Sequence, residues 1–136
     1  MKKYKVKNEL AKSLLQENVV FHDDVIEEIE ELVVKTGLVK EFIKLWNKNI
    51  AILCSLGKDA IKSSNFEILQ GTGGLYSMKF KGKNFNWRML YSYDEVNEKI
   101  MLHFFYEKDD SNRGRYEQHI PIAQQRKNEM EEKNEK

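Results

Sequence analysis

The sequence has almost none of the residues that stabilise secreted or membrane-spanning proteins. Its 136 residues include one cysteine, Cys54, and one proline, Pro121. A lone cysteine cannot close an internal disulfide, which is typical of proteins from a reducing cytoplasm. No apolar run approaches the ~20 residues that cross a bilayer, and no apolar segment follows the lysines at the N-terminus. We therefore expect a cytoplasmic protein without a membrane span or a signal peptide, and we expect Cys54 to fill the core.

The sequence also lacks an excess of either charge. Its net charge of +1 excludes a surface that attracts nucleic acid everywhere. The charges are nevertheless uneven, because lysines dominate the first twelve residues and residues 23–31 carry six carboxylates without a cation. Runs of this kind usually form solvated faces, and we interpret both in that way.

No motif indicates a metal or nucleotide site. The glycine-rich segment 71–74 lacks the Lys-Ser/Thr that completes a phosphate-binding P-loop, and it does not begin a helix. His22, His103 and His119 do not have the spacing of metal ligands. We therefore expect no metal and no cofactor.

Length and composition are those of one globular domain. The chain is 40% hydrophobic and 33% charged, and its length suffices to bury one core. We assign residues 1–136 to a single domain. Within it, residues 1–17 form an extra N-terminal segment of unknown role, and residues 131–136 form a charged tail that we expect to fray.

Two helices are predicted in the first half of the chain. Aspartates at positions 23 and 24 suit a helix N-terminus, and Gly37 suits the end of that helix. Apolar residues then recur at helical spacing between Gly37 and Gly57. The short connection predicts an antiparallel helix hairpin. The run Val19–Phe21 before it has two interpretations, an edge strand or a lead into the first helix.

The second half changes to the alternating pattern of strands. A short strand is predicted at Phe66–Leu69, followed by longer ones at Leu75–Lys81, Asn84–Tyr93 and Ile100–Tyr106. The segment after Pro121 is again helical in character. This order predicts an α+β fold, in which two N-terminal helices pack on one face of a small, mainly antiparallel sheet, with a C-terminal helix.

The predicted strand registers bring polar residues together. Pairing Tyr93 with Glu98 sets Arg88 opposite His103. In the preceding hairpin, pairing Phe80 with Phe85 sets a lysine and an asparagine opposite each other, namely Lys79 and Asn86.

Alternation then predicts two different faces of the sheet. One is apolar and covered by the helices, with Tyr76, Met78, Phe80, Phe85, Trp87, Met89, Tyr91, Ile100, Leu102 and Phe104. The other is open and polar, with Ser77, Lys79, Lys81, Asn86, Arg88 and His103. Arginine offers a fork to phosphate oxygens, lysine a point charge, and histidine titrates near neutral pH, so the polar face suits a phosphate. An ordinary solvent-facing sheet surface explains the same pattern, and spacing alone favours that alternative.

Four short strings in the same order resemble the RelE/ParE superfamily of bacterial toxins, in particular its phage-derived HigB-like branch. The similarity runs from about Val19 to Met130. The strings are Gly74–Phe80, Trp87–Tyr91, Met101–Phe105 and Ile122–Arg126. The resemblance implies the RelE-like fold and the small toxin of a type II toxin–antitoxin pair.

The resemblance also implies an activity and its partners. RelE- and HigB-like members cut mRNA, generally on the translating ribosome, so we expect a metal-independent mRNA endonuclease. ParE-like relatives share the fold but poison DNA gyrase, and a non-catalytic, phage-derived interaction module is a further alternative. The expected partners are mRNA, the ribosome and a cognate antitoxin of the helix-turn-helix type, which keeps the toxin inactive.

Site residues follow from the matched strings. In the implied reaction the RNA 2′-hydroxyl attacks the adjacent phosphate, with a base, an acid and cations that stabilise the developing charge. Arg88 matches the family arginine, Lys79 stands where the family usually has another, and His103 matches a family histidine. Lys108 corresponds to one of the lysines that usually follow, whereas Glu107 replaces another and weakens the positive field.

Six further residues are candidates for RNA binding. They are Lys81, Lys83, Asn86, Arg113, Arg115 and Tyr116. Cations attract the RNA backbone, and aromatic rings stack on RNA bases. Structural roles are the alternatives: a surface salt bridge for Arg88, a hydrogen bond on the sheet for His103, packing for Tyr116, and turn solubility for Lys81 and Lys83.

Overall fold

A five-stranded sheet organises the part of the chain that the computed structural model describes, residues 10–107 and 113–134. The strands are β1 (Val19–Phe21), β2 (Phe66–Leu69), β3 (Leu75–Lys81), β4 (Asn86–Tyr93) and β5 (Lys99–Tyr106). Their order across the sheet is β1-β5-β4-β3-β2, and every pair is antiparallel except β1 with β5. The α+β prediction is confirmed, and the run before the first helix is an edge strand.

Three main helices accompany the sheet. They are α1 (Asp23–Ile29), α2 (Val39–Leu56) and α3 (Arg113–Asn134). The His22 ring caps α1, because its Nδ1 accepts from the Asp24 N–H at 3.1 Å. A π-helical turn, Glu30–Val34, extends α1, and a 3-10 turn, Gly57–Lys62, follows α2.

The helices near the two ends of the described chain differ in extent from the prediction. Residues 10–14, within the predicted N-terminal segment, are helical and contribute Leu10 and Leu14 to the core. α3 begins at Arg113, so the predicted start after Pro121 is too late; the proline lies inside the helix. α3 also continues through residues 131–134, four of the six residues that we expected to form a frayed tail.

An aromatic core lies between α1, α2 and the first face of the sheet. Phe42 stacks on Phe80 with ring centroids 5.1 Å apart and meets the edge of Phe104 at 5.5 Å. Trp46 stacks on Phe42 at 6.2 Å. All four rings are at most 1% exposed. Offset and edge-to-face pairs of this kind add to the stabilisation that burial provides.

The second face of the sheet is covered as well, so the prediction of an open polar surface is wrong. α3 packs on it, and its residue Ala123 completes a second buried core with five residues of the sheet: Leu75, Leu90, Ile100, Leu102 and Phe105. The prediction placed all packing on one face because alternation puts the polar residues of the strands on the other. As a consequence Ser77, Arg88 and His103 are buried, with exposures of 0%, 4% and 5%.

The register of β4 and β5 corrects the predicted pairing of Arg88 with His103. Arg88 pairs with Phe105, and His103 pairs with Leu90. The turn is one residue longer than predicted, since Tyr93 pairs with Lys99, and the register shifts again between Leu90 and Tyr91. A bulge of this kind inserts an unpaired residue that spacing cannot reveal.

The longer turn also moves two residues to the other face. Ile100 and Leu102, which we expected under the first helices, lie in the second core with α3. Met101 takes their place in the first core and pairs with Tyr91. Phe104 lies on the predicted face, since it is beyond the bulge.

The register of β3 and β4 also differs from the prediction. Phe80 pairs with Trp87 and not with Phe85, so Lys79 lies opposite Arg88 and not opposite Asn86. The shift is two residues, which preserves the faces. Phe85 leaves the strand because its ring packs over Gly82, where an added Cβ would lie 2.3 Å from the ring.

Cys54 is exposed, contrary to the prediction that it fills the core. Its neighbour Leu53 is fully buried. Adjacent positions on a helix point about 100° apart, so only one of the two can face the sheet.

Candidate functional site

A chain of hydrogen bonds crosses the second face of the sheet under the start of α3. The Tyr116 hydroxyl lies 2.9 Å from Ser77 Oγ and donates to Glu67 Oε1 at 3.0 Å. Because the Tyr116 proton goes to Glu67, Ser77 donates to the Tyr116 oxygen. Ser77 and Glu67 are direct partners in the register of β2 and β3. Three elements, β2, β3 and α3, therefore converge on one hydroxyl.

Burial raises the pKa of the Tyr116 hydroxyl to about 12. The hydrogen bond with Ser77 and the positive charge of Arg88 act to lower this pKa, whereas the charge of Glu67 raises it. The hydroxyl is therefore protonated at neutral pH and can donate a hydrogen bond or a proton. Arg88 lies on the same face, as a diagonal neighbour of Ser77, because Ser77 pairs with Leu90, two residues further along β4.

Arg88 is held in place by its own strand. Its Nη1 donates to Asn86 Oδ1 at 2.6 Å and to the Trp87 carbonyl at 3.2 Å. The side chain points to the second face, as predicted, but it is buried and not exposed. Fixed partners orient the guanidinium in advance, which a site for a developing negative charge requires.

Lys79 adds a second positive charge beside Arg88. The two residues are partners in the register of β3 and β4, so their Cβ atoms lie on the same face about 5 Å apart. Lys79 is half-buried. We call the set Glu67, Ser77, Lys79, Arg88 and Tyr116 the cationic cluster.

The other predicted RNA-binding residues have varied positions. Lys81 and Lys83 are exposed near the turn between β3 and β4, and Asn86 is half-buried beside Arg88. Arg113 and Arg115 lie in the first turn of α3, and their side chains are outside the described residues.

The segment after β5 is described only as far as residue 107. Lys108 lies outside the described residues. Glu107, expected to weaken the positive field, is 2% exposed. Its backbone N–H donates to the Asn86 carbonyl and its carbonyl accepts from Asn86 Nδ2, both at 2.8 Å.

His103 belongs to a separate network that joins α1, β5 and α3. Its Nδ1 donates to Glu28 Oε2 at 2.8 Å, and its Nε2 is hydrogen-bonded to His119 Nδ1 at 2.7 Å. Both ring nitrogens are therefore engaged by protein atoms. His103 faces the same side as Arg88 but is two register positions, about 7 Å, further along the sheet. The structure does not bring the two together as predicted.

In this network, Glu28 and Arg126 form hydrogen bonds with backbone groups at the edge of β5. Glu28 Oε1 accepts from the Phe104 N–H at 2.9 Å, and Arg126 Nη1 donates to the Leu102 carbonyl at 2.9 Å and to Glu28 at 3.0 Å. Burial disfavours the charged form of Glu28. Hydrogen bonds from His103, Arg126 and the Phe104 N–H outweigh that effect and hold the pKa of the carboxyl below its ordinary value.

Sequence reasoning missed Glu67, Glu28, His119 and Arg126. Glu67 lies between two apolar residues of β2, the buried Phe66 and the exposed Ile68, and that position on a short strand is the one available signal. Glu28 lies in an acidic run that normally indicates solvent exposure. Their partners are far away in the sequence, so no local pattern could identify them.

The part of the chain that the structure describes contains neither a group of side chains that could hold a metal ion nor a helix that could span a membrane. Within residues 10–107 and 113–134, no group of three or more His, Cys, Asp or Glu side chains is arranged to hold a metal ion. No helix of the same ranges is long and apolar enough to cross a membrane.

Comparisons with known proteins identify the family. A family model described as phage derived protein Gp49-like (DUF891) matches residues 48–128, a range that contains the whole cationic cluster. Comparisons with curated proteins and with solved structures found no match. The family match covers more than half of the chain and confirms the resemblance at a coarse level: this chain belongs to the phage-derived Gp49-like family, within the RelE/HigB toxin-like group.

Proposed function

We propose that the protein is a HigB-like toxin that cleaves mRNA, most effectively on the ribosome, and that an antitoxin keeps it inactive. The observation that carries the proposal is the cationic cluster. Arg88 and Lys79 are paired across β3 and β4, and Arg88 is a diagonal neighbour of Ser77, which contacts the Tyr116 hydroxyl at 2.9 Å. Two cations and a proton donor in one place suit a phosphate whose charge grows during reaction.

In this proposal the cluster supplies each role that RNA cleavage needs. The 2′-oxygen would form a bond to phosphorus while the bond from phosphorus to the 5′-oxygen breaks, leaving a 2′,3′-cyclic phosphate and a 5′-hydroxyl. Glu67 is the candidate base for the 2′-hydroxyl proton, and Tyr116 is the candidate acid for the departing 5′-oxygen. Arg88 and Lys79 would stabilise the charge on the phosphate.

Access to the cluster is from the side of the β3–β4 turn in this proposal. Lys81 and Lys83 are exposed there and would attract the RNA backbone before it reaches Lys79, which is half-buried. Arg88 is only 4% exposed, so a phosphate would reach its guanidinium only after the side chains that cover it move aside. Lys108 remains a candidate catalytic cation, and Arg113 and Arg115 remain candidates for RNA contacts.

His103 has an indirect role in the proposal. Glu28 and His119 occupy its two ring nitrogens, so it would act by holding His119 and α3 in place. Direct action of His103 on the substrate stays a prediction of the resemblance.

Induction in a bacterium tests the proposal. Fresh 5′ ends inside coding regions should appear soon after induction of the wild-type chain and should be lost with Tyr116→Phe. Co-expression with a neighbouring gene that encodes a helix-turn-helix protein should restore growth and yield a co-purifying pair. Intact mRNA together with DNA breaks would instead support a ParE-like gyrase poison.

The burial of Arg88 favours one second candidate, a non-catalytic interaction module of the same fold. A guanidinium that is covered and hydrogen-bonded to Asn86 also has a purely structural explanation. In that case neither mRNA nor DNA would be cut after induction, and Tyr116→Phe would leave any growth defect unchanged.

A further inference from the structure

A trough runs between α1 and the end of β5, away from the cationic cluster. One part has a volume of about 600 Å³ and an adjoining part about 380 Å³. The two parts share Leu32 and Tyr106, so they form a single depression. Its floor is apolar, with Phe104 and Trp87 at 1% and 2% exposure. Tyr106 is 47% exposed, a large aromatic side chain open to a partner.

The rim of the trough is acidic. Four carboxylates and one guanidinium line its larger part, namely Asp24, Glu27, Glu28, Glu31 and Arg126. Glu28 is satisfied by the network around His103, and Arg126 is bound to it. Glu27 is exposed on α1, and Glu31 is exposed on the turn that extends it. Glu31 forms an ion pair with Lys35 at the surface, and such a pair reduces the negative charge of the rim only slightly. A basic partner is therefore the one that this charge distribution attracts.

The trough also contains the uncovered edge of a strand. β1 pairs with β5 only as far as Met101, and within the described residues no strand pairs with that side of β5 beyond it. The Phe104 N–H points to this edge, where Glu28 binds it. Tyr106 is two residues further on, so its backbone N–H and C=O point to the same edge.

We propose that the trough binds an extended, basic segment of a partner protein. Main-chain hydrogen bonds at Tyr106 would extend the sheet by one strand, a known mode of peptide recognition. Alternate lysine or arginine side chains of the segment would lie over Leu32 and Phe104 and reach Glu27 and Glu31 with their charged ends. The trough and the cationic cluster share no residue, so this binding does not depend on RNA cleavage.

Peptide binding to the full-length chain tests the proposal. The probe is a fluorescent seven-residue peptide in which lysine alternates with valine, followed by fluorescence anisotropy at low salt. We expect Glu27→Gln combined with Glu31→Gln to weaken binding at least about fivefold, because two carboxylate contacts are lost. The matched control, Glu41→Gln combined with Glu95→Gln, removes the same charge from exposed positions outside the trough and should leave binding unchanged.

Four results would overturn the proposal. Equal weakening by both double variants, or equal binding of a peptide with its lysines and valines in separate blocks, would show non-specific attraction. An alternating peptide with glutamate in place of lysine that binds as well would exclude charge recognition. Tighter peptide binding after glutamine replaces the N-terminal lysines would show that the chain's own segment occupies the trough, those lysines being Lys2, Lys3, Lys5 and Lys7.

Discussion

The Tyr116 hydroxyl donates a hydrogen bond to the Glu67 carboxylate at 3.0 Å. This bond connects α3 to β2, the edge strand farthest from β1. The same hydroxyl contacts Ser77, and its pKa responds to the charge of Arg88. One protonated oxygen therefore lies between a carboxylate and a hydroxyl, on the face of the sheet that also carries Arg88. This position makes Tyr116 the most informative residue of the cluster to change.

Tyr116→Phe removes the hydroxyl and retains the ring that packs against Phe105 at 6.0 Å. If Tyr116 donates a proton in the reaction, RNA cleavage should slow by about two orders of magnitude. The free energy of unfolding should fall by only about 1 kcal/mol, the contribution of a typical hydrogen bond. Tyr106→Phe, at an exposed position, is the control. Full cleavage by Tyr116→Phe would remove Tyr116 from the mechanism.

Arg88→Ala should affect both activity and stability. Loss of a preorganised charge predicts a cleavage rate lower by roughly two to three orders of magnitude. On the open polar face predicted from the sequence, removal of Arg88 would instead leave the fold almost unchanged. Because Arg88 is buried and bound to Asn86, the substitution should also lower the unfolding free energy by about 1–3 kcal/mol.

Arg88→Lys separates these two effects, since it keeps the charge but not the two-pronged geometry. Chemical denaturation and single-turnover cleavage of both variants provide the measurement. A stable Arg88→Ala protein that cuts RNA at the wild-type rate would contradict both parts of the prediction.

Trp87→Ala should be severely destabilising. The Trp87 ring is 2% exposed, stacks on Phe85 at 4.3 Å and contacts Phe104 at 5.7 Å. Truncation of a buried tryptophan costs about 3–5 kcal/mol, because it removes apolar contacts and leaves a cavity. Urea denaturation measures the change. Trp87→Phe should recover much of the loss, and a Trp87→Ala protein as stable as the wild type would show that the ring is not part of the core.

Glu28 should make the protein sensitive to acid. Its pKa is lower in the folded state than the ordinary value of 4.5. A lowered pKa stabilises the fold at pH values above 4.5, and this contribution disappears as the pH falls through the folded-state pKa. Glu28→Gln should therefore be less stable than the wild type at pH 7, by about 3 kcal/mol.

The difference between the two proteins should shrink steadily below about pH 4.5, as protonation removes the contribution in the wild type. Unfolding free energies at pH 3 to 7 provide the test. Glu27→Gln, one position away and exposed, is the control and should show no such change. A constant difference across this range would mean that the charge of Glu28 does not stabilise the fold.

The faces of β3 and β4 could be predicted from alternation, whereas their partners could not. Period-two spacing distinguishes Trp87 from Arg88 in any register, and the structure places them on opposite faces. The pairing of Arg88 with His103 failed because turn length and a bulge decide it. Local geometry likewise decides the partners of β3 and β4, where the Phe85 ring packs over Gly82, and spacing encodes neither.

The packing of α3 on the second face of the sheet could not be predicted either. α3 is mostly polar, and its contribution to the second core comes from a few residues, including Ala123 and Ile120. The polar residues of α3 instead bind distant partners, as His119 binds His103 and Arg126 binds Glu28. Hydrogen bonds between such distant positions leave no periodic pattern in a single sequence.

The most direct test of the central claim is a cleavage assay on ribosome-bound mRNA with one 2′-deoxynucleotide at the mapped cleavage position. The cationic cluster predicts that the purified wild-type chain cuts the all-ribose mRNA and leaves a 2′,3′-cyclic phosphate. The deoxy substitution should abolish the cut, since the attacking oxygen is absent, and Tyr116→Phe should slow cleavage of the all-ribose mRNA. Cleavage that persists at the deoxy position, or no cleavage of either mRNA, would contradict the proposed function.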